Sequence, residues 1–491
     1  MAGTLLPRQF LNSALKLVKN IAALRALPTV TEEYIYVEAH TTSGDGGHGA
    51  FRAVTGAAPG TYTDDNGITI VPTGGDGSTA WIRDFTGAVN AHWFGAKGDG
   101  VADDTAAIQA AINYLQTTGG VVYLPEGTYI ISASLSLYSG ITLKGDGPRY
   151  RYLYKQSAAT HVGGTEIKVP ANVTAIIMGD PTTDHAKVEG IAFVGANLVS
   201  SAYGTAPTPT AGAVAIDCAN SVDFWADNVA FYGLQTGITN TTSTTLNADR
   251  PQLSNWVASD CGAVVSYNKG TADVIIRNCP LSLHNDKHIV IRDSDGVRIE
   301  NCRLFQAFTN SIDIGLATPG TGSVGFVNIT GCTLFETNGH SIVIDGGKYV
   351  NIAGTTISRA GGYVSAGSYA YSMGLVVSNT QTFAFEGVIE RCGSSAAKFA
   401  SCSEVSLNGS ILDCFYTHGD VAGVGIVQVI TSTAVNINAS IHNLATDLYN
   451  VVSDVASALE VTGTVSGNRG SKNCPLLKHA NAYHFVIYGT G

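Results

Sequence analysis

The chain has 491 residues, of which only 13% are charged and 57 are glycine, and its formal net charge is −11. Nucleic-acid affinity rests largely on Lys and Arg neutralising phosphates, so this acidic balance excludes a phosphate-binding surface. No run approaches the roughly 18 apolar residues of a membrane span, and the N-terminus lacks a continuous signal-peptide core, which points to synthesis in a cytoplasm without export and to no membrane partner.

Residues 1–28 hold an amphipathic segment, with Phe10, Leu11, Leu15, Leu17, Val18, Ile21 and Leu24 ahead of Leu27-Pro28. Two readings stand for it: a helix packed on its own domain, or an attachment or trimerisation segment. Across 29–88, short alternating runs such as Tyr34-Ile35-Tyr36-Val37 are separated by Gly/Asp turns, which predicts a small β-rich domain. Further on, Asp103, Asp104 and Thr105 offer side-chain oxygens to the free N–H groups of a helix start, and 106–115 is apolar at helical spacing. After Gly119-Gly120 the pattern turns to strand, at 121–124, 129–131 and 141–145.

From residue 165 a repeat sets in. Strand starts fall at Val214, Ile238, Val264, Ile289, Ile312, Ile342, Leu375, Lys398, Ile426 and Val451, at intervals of 23 to 33 residues. Recurrence at this scale with period-two alternation means a solenoid of stacked strands, and it excludes helical repeats. A second strand follows in each coil, as at 274–279, 297–302 and 326–332. The two longest intervals, 30 and 33 residues, mark insertions at 316–323 and 360–373, the kind of loop that builds a binding face on a repeat protein. Nine cysteines occur without CxxC pairs, and Cys279, Cys302 and Cys332 recur about one repeat apart after Asn or Gly. They read as small side chains stacked in the core rather than as metal or redox groups. The tail at 467–491 breaks the repeat, and its run at 483–488 reads as a terminal strand or a subunit contact.

The run from Phe94 to Gly100, with Asp103-Asp104-Thr105, Ala107-Ile108-Gln109, Gly119-Gly120 and Leu124 to Tyr129, closely resembles the opening of the pectate-lyase-like right-handed parallel β-helix family. The module before it is similar to the small domain that precedes the β-helix in many phage tailspikes. It carries Leu24-Arg25-Ala26-Leu27-Pro28, Gly46-Gly47-His48-Gly49-Ala50-Phe51, Asp64-Asp65-Asn66-Gly67 and Trp81-Ile82-Arg83 in that order. The resemblance implies an all-β chain: a right-handed parallel β-helix at 89–466 with a capping helix near 106–115, a small N-terminal β-rich domain at 29–88, an attachment segment at 1–28 and a tail at 467–491. It also implies a homotrimer in the virion tail, joined to the phage tail or baseplate through its N-terminal region. Such proteins bind a bacterial surface polysaccharide, capsule or O-antigen, and often cleave it, by hydrolysis or in some members by elimination. A tailspike that only binds its glycan is the alternative, and no cofactor is implied.

The family has no universal catalytic motif, so candidates come from physics. Glycoside hydrolysis needs two carboxyl groups about 5 to 5.5 Å apart to retain configuration or about 6.5 to 9.5 Å apart to invert it. Coils stacked at about 4.8 Å supply both spacings. Asp313, between Ile312 and Ile314, should face outward in a column with Val290 and Val343, where apolar neighbours would suit a general acid. Glu336 falls in a column with Gln306 and Arg359 beside Phe305 and Phe335, which reads as a sugar-binding strip or as a surface ion pair. Asp345 and Glu300 complete the catalytic candidates, although Asp345 also reads as shaping the turn at Gly346-Gly347. Asp293 and Asp295 read as turn residues. His340 and Arg359 suit an acidic sugar or elimination chemistry. Trp256, Trp225, Tyr363, Tyr369 and Tyr371 offer ring faces to sugars, although both tryptophans also read as core. The acidic turn from Asp99 to Asp104 lacks the spacing and terminal Glu of an EF-hand, so no metal site is assigned.

Overall fold

A strand with period-two alternation buries one face only, so each such run must find a partner sheet across a shared core. The computed structural model describes residues 16–28, 34–148, 163–196, 198, 205–240, 248–268, 271–317, 324–361, 372–414, 425–442, 449–453, 459–462, 465–466 and 477–479. The segments 1–15 and 480–491 and the inserted loop with Tyr363, Tyr369 and Tyr371 therefore lie outside the described residues.

Near the N-terminus, β1 (Lys16–Val18), α1 (Ile21–Arg25), β2 (Tyr34–Val37), β3 (Gly49–Val54), β4 (Thr69–Ile70) and β5 (Ala80–Arg83) form a small unit. Its sheet runs β1-β2-β3-β5-β4. Asn20 caps α1 by accepting from the Ala23 amide at 3.0 Å. Val18, Ile21 and Leu24 pack with Ile35, Val37, Phe51 and Trp81 in one core. Among the described residues the unit thus takes in 16–25, where the amphipathic segment packs on the small domain. Arg83 closes β5 and is buried, where its guanidinium donates to the carbonyls of Gly67, His48 and Gly47. It lies against Phe51 at 4.5 Å and against Trp93, at the start of the main solenoid, at 5.0 Å. One cation thus ties the small sheet to the solenoid.

The helix α2 (Thr105–Tyr114) sends Ile108, Ala111 and Ile112 into the main core and covers its first coil. The two aspartates before it divide the work. Asp103 accepts from the Thr105 amide at 2.9 Å, whereas Asp104 reaches back to the amides of Lys97 and Gly98 and fixes the glycine turn. Outside the small unit the described strands form a 13-stranded, a 22-stranded and a two-stranded sheet, paired in parallel throughout, the 22-stranded one taking in Val89–Asn90 and Asp99–Asp103 ahead of α2. A typical coil gives Lys287–Arg292 to the narrower of the two large sheets and the long strand Gly296–Phe305 to the wider one, where it bends at Asn301 and Cys302.

Ile238, Val265, Ile289, Ile312, Ile342, Leu375, Ala397 and Val427 share one register column facing the core. The expected starts Val264, Lys398 and Ile426 therefore miss it by one residue, and Val214 by two, since Ile216 pairs with Ile238. A slip of one residue changes the face. Lys398 accordingly stands in the outward column with Asp313, Val343 and Val376.

Three corners per coil need a left-handed residue. The first uses Asp293, Gly346, Asn379 and Ser401; the second Asn278, Asn301, Gly331 and Gly354; the third Gln306, Glu336, Arg359 and Arg391. Asn and Gly enter this region at low cost. That explains the recurrent Asn-Cys: Asn turns the second corner and the next residue points inward. The eight described cysteines are free and buried.

Candidate functional site

Asp313 lies mid-strand in Ile312–Gly315, with Val290 and Val343 as register partners on either side. Its surroundings are not the apolar ones expected of a general acid. Arg292 Nη1 sits 2.8 Å from Oδ1 and also donates to the Asp313 carbonyl at 2.9 Å, and Asn310 approaches Oδ2 at 3.4 Å. On the next coil Asp345 ends Ile342–Asp345 and faces the same way, because Val343 pairs with Asp313 and Asp345 lies two residues on. One rung across and two residues along puts their Cα atoms about 8 Å apart. Ser378 Oγ and Asn379 Nδ2 both donate to Asp345 Oδ1 at 2.7 Å, and Oδ2 has no hydrogen-bond partner among the described residues.

Gly315 lies beside this pair on the same strand as Asp313. It partners Arg292 in register, and a Cβ placed on it would come within 3.3 Å of Asp345 Cβ. Glycine thus lets Asp345 pack close against the Asp313 strand, with Arg292 on the other side of that rung.

The third corner lines the approach. Glu336 is 6% exposed; Gln306 Nε2 donates to its Oε2 at 3.0 Å and Arg359 Nη1 to its Oε1 at 2.9 Å. Arg359 lies 5.1 Å from the Phe335 ring, which packs on Phe305 at 5.4 Å. Gln306 Oε1 is buried without a partner among the described residues. Four residues past Glu336, His340 Nδ1 accepts from the Met373 amide at 2.9 Å, so the neutral ring carries its proton on Nε2. Burial, helped by the charge of Lys398, holds the His340 pKa below its ordinary value.

The family model for the small four-stranded β-sheet domain of phage tail proteins matches residues 17–86, and the one described as rhamnogalacturonase A/epimerase, pectate lyase-like, matches residues 88–304. This chain joins a phage-tail β-sheet domain to a pectate-lyase-like β-helix domain. Mannuronan C5-epimerase AlgE4 of Azotobacter vinelandii is 50% identical over 62 residues, 11% of this chain and 11% of that protein. The preneck appendage protein of Bacillus phage PZA is 43% identical over 61 residues, 12% of this chain and 7% of that protein. These alignments span only a small part of the curated relatives. Among solved structures, the Agl-KA catalytic domain shares the fold, with a TM-score of 0.51 at 15% identity over 84% of this chain and 71% of that one.

Within this chain the remaining candidates scatter. Glu300 faces outward from the first half of the wider sheet, with Arg277 and Thr330 as register partners, so the core separates it from Asp313 and Asp345. It cannot join their pair. Trp256 is fully buried in the main core, and an enclosed ring has no face for a sugar. Trp225, by contrast, is 44% exposed, with Lys187 5.8 Å from its ring. Asp293 turns a corner and accepts from the Ala317 amide at 3.2 Å, as a turn residue should. Arg292, Asn310, Gly315, Ser378, Asn379 and Lys398 were not legible as site residues, since each matters only through its neighbours; a correct register would have placed Arg292, Gly315 and Ser378 in the column of Asp345 and Lys398 in that of Asp313. Asp184, His185 and Asp223 bring ligand atoms within 4.8 Å of one another, but Arg250 binds both Asp223 oxygens at 2.7 and 2.9 Å. That guanidinium takes the place a cation would have. No described helix is long and apolar enough to cross a membrane.

Proposed function

We propose that this chain binds a bacterial surface polysaccharide and cleaves it by glycoside hydrolysis on the outer face of the 13-stranded sheet. The observation that carries the reading is the Asp313 and Asp345 pair, about 8 Å apart at Cα on neighbouring coils of one outward face. With both side chains on one face, that Cα spacing is compatible with the carboxyl separation of about 6.5 to 9.5 Å that inversion needs. Asp345, held by the neutral donors Ser378 and Asn379, is assigned as the acid that protonates the leaving oxygen through Oδ2. Asp313, paired with Arg292, is assigned as the base that takes the proton of a water attacking the opposite face of the sugar. Glu336 has both oxygens engaged and serves with Gln306 and Arg359 as a binding wall, while His340 offers Nε2–H to a sugar hydroxyl. The phage-tail domain supports attachment to the virion through the N-terminal region, and the likeness to mannuronan C5-epimerases supports a polysaccharide substrate. The chain acts as a homotrimer, which sedimentation would test.

Incubation with surface polysaccharides from candidate host strains, read by mass spectrometry, tests the chemistry. Saturated oligosaccharides are expected, and Asp313→Asn and Asp345→Asn should each lower turnover by about 10² to 10⁴ with unchanged unfolding. Full turnover in both variants removes the pair from the reaction. The competing reading is β-elimination on a uronic-acid polymer, favoured by Lys398, which stands in the outward column of Asp313 as a partner for the uronate, with His340 Nε2–H as a donor beside it. Unsaturated products lost in His340→Ala would establish it.

A further inference from the structure

The coil is three-sided, so the face opposite the third corner is the outer surface of the first half of the wider sheet. Three large aromatic side chains stand exposed there: Trp225 at 44%, Phe326 at 64% and Tyr349 at 51%. Exposed rings cost hydrophobic free energy, and a cluster of them on one face calls for a ligand.

Phe326 and Tyr349 are register partners with ring centroids 5.1 Å apart and planes 11° from parallel. Rings this close and this parallel overlap face to face rather than lying edge to edge. The second face of Phe326 therefore looks along the solenoid axis toward its other register partner, which is Gly296. Glycine leaves that rung empty. A Cβ there would approach Asp273 Oδ1 to 2.5 Å, so Asp273 stands on the far side of the notch.

A cleft of about 350 Å³ opens at this point, lined among others by Gly296, Phe326, Asp273, Arg298 and Gln252. Arg298 has no ion-pair or hydrogen-bond partner among the described residues. In the adjoining column Trp225, Gln252, Ile275, Arg298 and Asn328 follow rung by rung. Trp225 thus lies about 19 Å along the axis from the coil of Phe326, with polar groups between.

We propose that this face is a second, non-catalytic glycan site that holds an oligosaccharide along the solenoid axis. One pyranose ring stacks on Phe326 in the notch over Gly296, Trp225 carries the chain at the other end, Arg298 donates to hydroxyl or carboxylate groups, and Asp273 accepts from hydroxyls. A subunit contact fits less well. The Phe326 and Tyr349 column continues as Thr382 and Glu404, and Arg298 and Asn328 flank it, so the stacked rings stand among polar and charged groups rather than at the centre of an apolar face. The assignment rests on the reading that the ligand of this chain is a polysaccharide, but not on where cleavage occurs.

The test titrates defined hexasaccharides, maltohexaose, chitohexaose, oligogalacturonate and oligomannuronate, into the full chain and its Phe326→Ala, Trp225→Ala and Asp313→Asn variants, with sedimentation of each. At least one sugar should bind the parent chain and lose about tenfold in affinity in both aromatic variants, at unchanged mass and with Asp313→Asn still binding. Retention by neutral or by uronic sugars shows which group Arg298 receives. Equal binding by Phe326→Ala and the parent, no binding by any of the four at millimolar concentration, or a fall in mass in the aromatic variants overturns the proposal. Failure of the hydrolytic reading shows separately, as turnover that survives in Asp313→Asn.

Discussion

A buried carboxylate is tolerable only while its donors remain, and Glu336 has Gln306 on one oxygen and Arg359 on the other. Removing Arg359 leaves the charge half satisfied. Arg359→Ala should cost about 2 kcal/mol of stability, the worth of a hydrogen bond to a charged group, and adding Glu336→Gln should restore part of it because the buried group is then neutral. Thermal unfolding of the single and double variants checks this. A general-acid role for Glu336 predicts a different pattern, in which Glu336→Gln alone abolishes turnover and leaves the midpoint unmoved. The same two variants therefore separate a wall from a catalyst.

At the scale of the coil, the second corner is held by backbone conformation. Asn301 has a φ of 53° and is exposed, so its packing contributes little and its tolerance of the left-handed region contributes most. Asn301→Ala should lose about 1 kcal/mol, while Asn301→Gly should be near neutral, as measured by chemical denaturation. This corner was visible in the sequence, because a recurring Asn-Cys or Gly-Cys marks the turn and the inward step together. The third corner was less so. Gln306, Glu336 and Arg359 are unusual left-handed residues, and the adjacent phenylalanines mark their column, but their hydrogen bonds follow from burial that spacing does not reveal. Asp313 and Asp345 were each legible as outward acids. Their pairing was not, because it depends on which residue of the next coil lies opposite, and one-residue errors at Val264, Lys398 and Ile426 show how weakly apolar runs fix that register. Phe326 and Tyr349 read as ordinary strand residues in the sequence, since only the fold shows that they are exposed.

Across the whole molecule, histidines are buried in several units, and burial is the leading cause that lowers the pKa of His40, His92, His284, His288 and His340. His288 is fully enclosed, with Nδ1 2.8 Å from Ser311 Oγ, and is pushed down to about 3. The sign comes from linkage. Between a depressed folded value and the ordinary value of about 6.5, the unfolded chain binds protons that the folded chain refuses, so stability falls as pH drops through that window. Each such proton contributes up to about 1.4 kcal/mol per pH unit. Carboxylates held low by their partners, such as Asp64 and Asp223, act in the same direction but only below about pH 4. The interval from about pH 6.5 to 4.5 is therefore set chiefly by the histidines, against which the Asp65 and Asp104 carboxyls, raised by burial, act with the opposite sign. Unfolding midpoints measured across it should decline steadily, and His288→Leu should flatten the decline even where it lowers the midpoint at neutral pH by stranding Ser311. A parent midpoint constant across that interval would mean that these rings take their protons without unfolding the solenoid. A decline left equally steep by His288→Leu would place the acid-sensitive step in another unit, with His40 and His92 near the junction next to be substituted.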